Sequence, residues 1–315
     1  MQENKPLTSP YKRFQDFLEE HFSFKVQKIS INAGFTCPNR DGSKGVGGCI
    51  YCNNQTFNPD YCVTEKTVTQ QLNEGKVFFS KKYPEMKYLA YFQAYTNTYG
   101  ELEHLKKLYE EALSVPDVVG LVIGTRPDCM PNTLLDYLAT LSKNHFILVE
   151  YGMESTLDKT LELIGRGHNE ACTEDAIRRT AQKGILVGAH IILGLPGEGR
   201  AEILGHIPIL NSLPLNTLKI HQLQIIKGTK LASMYRKDPA SIHLPEPLEY
   251  AELIVDFLEL LRPDITVERF ISQSPKNLLL APNWGMKNNE FTHLVEKCMK
   301  RRAAIQGSKF KQAIL

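Results

Sequence analysis

A chain of 315 residues that is 42% hydrophobic and 23% charged, with 21 Gly, 17 Pro and 7 Cys, has the composition of a folded globular protein; disordered, collagen-like and small disulfide-scaffold classes are excluded. No window offers about 18 consecutive apolar residues and residues 1–20 are polar and charged, so no membrane span and no secretory leader is expected, and the expected compartment is the cytoplasm. The formal net charge of +2 predicts no general affinity for polyanions, yet between Lys276 and Leu315 eight basic residues face only Glu290 and Glu296, a local +6 that leaves −4 for the remainder.

Residues 1–24 read as an N-terminal helical arm. Apolar runs of strand length follow at Lys25–Ile31, Tyr88–Gln93, Val118–Thr125, Phe146–Glu150, Leu186–Leu193 and Thr217–Ile225. Amphipathic stretches of helical period lie between them at Thr64–Lys82, Glu101–Leu113, Asn132–Lys143, Thr173–Lys183 and Arg200–Leu210. Strand and helix in alternation predict an α/β fold with a parallel sheet, because parallel neighbours need a crossover and the helix supplies it. A doubly wound open sheet gives the same alternation, and a full or partial barrel is the simplest closure. Polar clusters stand at the ends of the strands, among them Gln93–Thr98, Thr125–Asp128, Glu150–Ser155 and Gln222–Thr229, where a parallel barrel gathers its chemistry.

The first strand opens into a Gly-rich loop, Ala33 to Cys52, far longer than the 2–6 residues usual for such a connection. It carries Cys37, Cys49 and Cys52 in a Cys-x11-Cys-x2-Cys arrangement. An odd number of cysteines in a reducing compartment favours metal ligation over disulfides. Two centres suit the triplet. A structural zinc site wants four ligands, and Cys62 is available as the fourth. A 4Fe-4S cluster held by three thiolates keeps one iron open for an outside ligand.

The triplet, with Tyr51 just before its last cysteine, resembles the radical S-adenosylmethionine (radical SAM) superfamily, and the wide spacing is similar to the branch containing the Elongator catalytic subunit. Further matching segments follow in order: Thr125-Arg126-Pro127-Asp128, Val149 to Ser155, Arg166-Gly167-His168, His190 to Glu198, Lys219-Ile220-His221 and Lys227-Gly228-Thr229. Gln93-Ala94-Tyr95-Thr96-Asn97-Thr98 is typical of the short bacterial branch of the YhcC type. The resemblance implies a partial (β/α)6 TIM-type barrel over residues 25–272 with a basic C-terminal extension over 273–315. It implies a 4Fe-4S cluster on Cys37, Cys49 and Cys52, S-adenosylmethionine chelated to the open iron, its cleavage to a 5′-deoxyadenosyl radical, and an electron donor such as flavodoxin or ferredoxin. No acetyltransferase segment follows the barrel, so no acetyl-CoA role is carried over. The family's Gly-Gly-Glu after the second strand is replaced by Tyr95-Thr96-Asn97-Thr98.

The cofactor-binding set implied in this way comprises Tyr51, Gln93, Thr96, Asn97, Arg126, Asp128, Glu150, Ser155, Gly194, Glu198 and Gln222. Each also has a structural reading. Arg126 and Asp128 can form an ion pair, Ser155 can cap a helix, and Gly194 to Glu198 can be a strand-to-helix turn. His190 and His221 lie within strands, where satisfied core histidines are common. Tyr95, Asn97 and Lys227 are candidate substrate contacts, while Cys62, Cys129, Cys172 and Cys298 read as buried structural thiols.

The basic extension suggests a polyanionic partner. Lys297, Lys300, Arg301 and Arg302 share a helical face that can meet phosphates, with Trp284 and Phe291 near enough to stack on bases. A solvated helix end and a docking core explain the same residues. Members of the Elongator-like branch modify the wobble uridine of tRNA, which makes processing of its 5-substituent the leading expectation. A small-molecule substrate, or a zinc-stabilised nucleic-acid-binding protein without radical chemistry, are the alternatives.

Overall fold

The computed structural model describes residues 9–53, 59–80 and 85–311. Seven parallel strands form one sheet in strict chain order: β1 (Val26–Ile31), β2 (Lys87–Phe92), β3 (Val118–Thr125), β4 (Phe146–Glu154), β5 (Leu186–Leu193), β6 (Thr217–Gln222) and, after an intervening short strand β7 (Ile225–Ile226), β8 (Thr266–Arg269). Neighbours that always follow one another in sequence, each joined by a helical crossover, curl in one direction, and the sheet is a half-barrel. The crossovers are α2 (Val68–Ser80), α3 (Leu102–Ser114), α4 (Asn132–Leu141), α5 (Asp158–Leu163), α6 (Glu170–Gln182), and the pair α7 (Arg200–Gly205) and α8 (Ile207–Ser212), while α1 (Phe14–His21) precedes the sheet. The six expected strands are all present; two expected elements are divided and one strand was missed, each for a local reason. Pro208 in the first turn of α8 divides the expected helix Arg200–Leu210. The run Thr217–Ile225 splits after Gln222, and Ile225–Ile226 pairs antiparallel with β9 (Leu279–Ala281). β8 escaped the sequence reading because Thr-Val-Glu-Arg is four residues long and half charged.

The two faces of the sheet bury different things. Outward residues such as Ile29, Ile31, Phe92, Leu121, Ile123, Val149 and Ile191 form the main core with the helices. The inward face is layered. At its base Leu89, Val122 and Leu148 meet Leu18 of α1, which plugs the N-terminal end of the barrel. Above it Lys28, Glu150, Lys219 and Glu268 form a charged layer beside Tyr91 and Gly124, and beyond that the face opens into the cleft described below.

The chain termini are sewn to the last strand. Val267 N–H donates to the Lys12 carbonyl and Gln306 N–H to the Pro10 carbonyl. Helix α9 (Lys230–Lys237) leads on to α10 (Pro247–Leu260), and α10 packs against α11 (Asn288–Arg302). There three of the basic residues are paired internally: Arg302 reaches Glu252, Asp256 and Glu259, Arg301 bonds Glu252, and Lys309 bonds Glu259. Trp284 stacks on Phe291 at 5.4 Å and both lean on Tyr250, so the docking-core reading of these aromatics holds over base stacking. No helix among the described residues is long and apolar enough to cross a membrane.

Candidate active site

The loop after β1 returns Cys37, Cys49 and Cys52 to one cleft at the C-terminal ends of the strands. Its course is fixed by backbone bonds: Arg40 N–H and Asp41 N–H both donate to the Cys37 carbonyl, and Cys52 N–H donates to that of Cys49. Arg40 spans the loop, donating from Nη2 to the Cys52 carbonyl at 2.8 Å while its guanidinium lies over the Tyr95 ring. Gly48, at φ +87°, makes that crossing possible, since a Cβ there would stand 2.9 Å from Arg40 Nε. Cys49 Sγ accepts from Asn39 Nδ2 at 3.4 Å and from Arg166 Nη1 at 3.8 Å. Donors aimed at sulfur stabilise a thiolate and any charge it carries onto a metal.

The donor set discriminates between the two centres foreseen. Zinc–sulfur bonds of about 2.3 Å require ligand sulfurs roughly 3.8 Å apart, and among the described residues no three Cys, His, Asp or Glu side chains converge on one ion. Cys62 is turned elsewhere, buried with its thiol donating to the Ser30 carbonyl at 2.9 Å and pushed up to about 12 by burial. Cys129, likewise buried, is also raised to about 12. Three cysteines line one cleft while Cys62, the candidate fourth ligand, is turned away from it, a set that suits a cluster with one open corner better than a four-coordinate zinc site. The cleft is also prepared for negative charge. Arg126 Nη1 and Arg166 Nε are buried with no hydrogen-bond partner among the described residues, and buried guanidinium nitrogens are costly to leave unpaired.

The residues expected beside a cofactor divide into two groups. Tyr51, Gln93, Thr96, Arg126 and Glu150 line the cleft with the cysteines. Thr96 is positioned by its N–H bond to the Thr36 carbonyl, and Gln93 Oε1 accepts from Ser30 Oγ. The others lie behind it. Asp128 forms a two-point pair with Arg126, 2.9 Å at each contact, and takes a third bond from Lys44. Burial alone would raise the Asp128 carboxyl, but these cations outweigh it and hold it at about 2. Asn97 braces the turn, donating to the Phe92 and Gly124 carbonyls. Ser155, Glu198, His206 and Thr156 form a buried chain that ties the end of β4 to α7–α8. Gly194, at φ +87°, lines a separate hollow with Glu198, and Gln222 exchanges two bonds with the Ser272 backbone.

Other residues complete the cleft, among them Tyr95, expected as a substrate contact, and Glu154, which lay outside the expected cofactor set. Tyr95 and Glu154 both have positive φ, 62° and 67°, strain that a folded scaffold tolerates mainly at functional positions. Glu154 follows a register shift in β4 and faces Arg166 at 3.6 Å. Beneath them, both oxygens of Glu150 are occupied, by Lys28 at 2.9 Å, His190 at 3.0 Å and Lys219 at 2.5 Å. Burial would raise this carboxyl; Lys219 and Lys28 hold it well below the ordinary range instead. Glu268 bonds both lysines, and because Lys28 is on β1 and Glu268 on β8, the ion pair bridges the open edges of the half-barrel. His190 and His221 stack at 5.6 Å in the lumen, their pKa values lowered first by burial and then by neighbouring cations. Their signal was present in the sequence: charged or polar residues at every second position of a strand-length run, as in Lys219 and His221, mark a polar lumen.

Proteins of related sequence and fold point to one superfamily. Residues 34–207 match the family model of the radical SAM superfamily and residues 215–301 that of the radical SAM C-terminal domain. Protein YhcC of Escherichia coli is 34% identical over 280 residues, covering 89% of this chain and 88% of its own. A tRNA uridine(34) acetyltransferase of Methanocaldococcus infernus is 24% identical over 209 residues, 64% of this chain and 38% of its own. The solved structure of Elp3 from Methanocaldococcus infernus superposes with a TM-score of 0.67 at 17% identity, over 90% of this chain and 64% of that one, a likeness of fold.

Proposed function

The chain belongs to the radical SAM superfamily and is an enzyme of that kind, and from that premise we propose that Cys37, Cys49 and Cys52 hold a 4Fe-4S cluster whose open iron takes S-adenosylmethionine, and that the substrate is the 5-substituent of a wobble uridine in tRNA. The observation that carries the cofactor reading is the set of three cysteines on one cleft beside two buried, unpartnered guanidinium nitrogens. When bound, the cluster and S-adenosylmethionine supply reductive cleavage and hydrogen abstraction. The chain's own residues supply the rest. Arg166 and Asn39 donate to Cys49, Arg126 is aimed by Asp128, and Arg40 holds the loop closed around Cys52. The hydrophobic plug and the charged layer close the lumen from below.

The tRNA reading is supported by a relative whose name specifies uridine 34 and by the match to the branch expected from the sequence. It draws no support from the C-terminal arginines, which are paired with α10. The electron would come from a small redox protein such as flavodoxin or ferredoxin. Two measurements test the proposal. Low-temperature electron paramagnetic resonance of anaerobic, reduced protein should give a 4Fe-4S signal that changes with S-adenosylmethionine and is absent when any of the three cysteines is Ala. The wobble nucleosides of tRNA from a strain lacking the gene should accumulate an unprocessed 5-substituent; an unchanged profile refutes the tRNA part.

A further inference from the structure

The four arginines of the cleft are not equally employed. Arg126 is clamped by Asp128, Arg166 faces Glu154 and Cys49, and Arg40 is spent on the Cys52 carbonyl and the Tyr95 ring. Arg269, at the end of β8, has no carboxylate partner among the described residues. It donates from Nη2 to His221 Nε2 at 2.9 Å, with Nε 3.3 Å from the same atom. His221 is in turn stacked on His190, whose Nε2 bonds Glu150, so a chain of side chains fixes the guanidinium in the cleft wall.

The charge layer beneath explains why this matters. Lys28 and Lys219 share Glu150 and Glu268, two ammonium groups for two carboxylates. His221 Nε2 accepts from Arg269, and burial pushes both imidazoles toward the neutral form. Arg269 therefore stands above this balanced layer as a positive charge with no carboxylate partner among the described residues, half-buried, resting on the His221 acceptor and lining the cavity. A guanidinium so placed is a two-point receptor for an oxyanion.

We propose that Arg269, positioned by His221, binds a carboxylate carried by the substrate, so that the enzyme selects an acidic substituent and turns it toward the cysteine-lined side of the cleft. The identity of that substituent as part of a 5-substituted wobble uridine, such as a carboxymethylaminomethyl group, rests on the function proposed above; the anion subsite does not.

The test uses cluster-loaded protein and three probes. Wild type should bind the nucleoside 5-carboxymethylaminomethyluridine at least tenfold more tightly than 5-aminomethyluridine. Arg269→Gln should erase that preference, a loss of about 10- to 100-fold for a charge-assisted bond, and Arg269→Lys, which keeps the charge and guards against misfolding, should retain part of it. Equilibrium dialysis of S-adenosylmethionine should change less than twofold in Arg269→Gln; a tenfold loss would give Arg269 to the cofactor's carboxylate and overturn the substrate assignment. Trifluoroacetate, followed by 19F NMR, should show a saturable shift in wild type that Arg269→Gln abolishes. If that shift is lost while wild type fails to discriminate the nucleosides, the anion subsite stands and the wobble-uridine reading falls. Equal trifluoroacetate responses in the two proteins overturn the proposal.

Discussion

Replacing Glu150 by Gln tests the lumen network directly. Glu150 is 1% exposed and Lys219 2%, and the carboxylate also holds Lys28 and His190. Removing one partner of a buried pair costs roughly 3–5 kcal/mol because a charge is stranded. Glu268 remains 2.6 Å from Lys28 and 3.3 Å from Lys219 and keeps part of the compensation, which places the cost at the lower end, about 3 kcal/mol. With an unfolding entropy of about 2.1 cal/mol/K per residue, a chain of 315 residues should lose about 4–5 °C in Tm. Scanning calorimetry of the single variant and of Glu150→Gln with Lys219→Met measures it. The double variant removes the stranded ammonium and should recover at least half of the loss. A Tm within 1 °C of wild type for the single variant, or no recovery in the double, would refute the account of Glu150 as the anchor of the layer.

The Asp128 carboxyl is held at about 2 against an ordinary value of 3.8, so its stabilisation is complete above pH 4 and is lost as pH falls toward 2. Asp128→Asn should lower stability by about 2 kcal/mol at neutral pH and flatten the acid limb between pH 4 and 2 in denaturant titrations. Iron analysis after anaerobic reconstitution should find cluster in Cys62→Ser but not in Cys37→Ser, Cys49→Ser or Cys52→Ser; equal loss in all four would revive a fourth-ligand role for Cys62. Gly152→Ala places a Cβ 2.6 Å from Arg166 Nη2 and 2.7 Å from Glu154 Oε1, both movable side-chain ends, so the protein should fold yet retain cluster poorly. Gly120→Ala meets the Phe146 carbonyl at 2.1 Å and should instead lower Tm sharply, since backbone cannot give way. Arg302→Ala should lower Tm by a degree or two, from loss of its three carboxylate partners, without altering tRNA affinity measured at two salt concentrations.

The order of elements, the parallel sheet and the cysteine loop were legible because they rest on local signals. Apolar runs repeat at strand length, helices of 3.6 period separate them, and a Gly-rich loop of abnormal length interrupts only the first unit. The resemblance in the motifs added the identity of the family, and the comparisons bear it out. What residue type and spacing do not encode is which side chains face one another across the barrel. Ser155 and Glu198, both placed near a cofactor from the sequence, bond each other behind the cleft because the end of β4 meets the turn before α7. Nothing local to Lys28, Lys219, Glu268 and Arg269 shows that register and curl gather them into one lumen between the edges β1 and β8. On the basic C-terminal helix, a candidate polyanion surface in one dimension, Arg301 and Arg302 are paired with acids some 43–50 residues away. Burial and pairing are properties of tertiary neighbours, and those decide whether a charge binds a ligand or merely holds the fold.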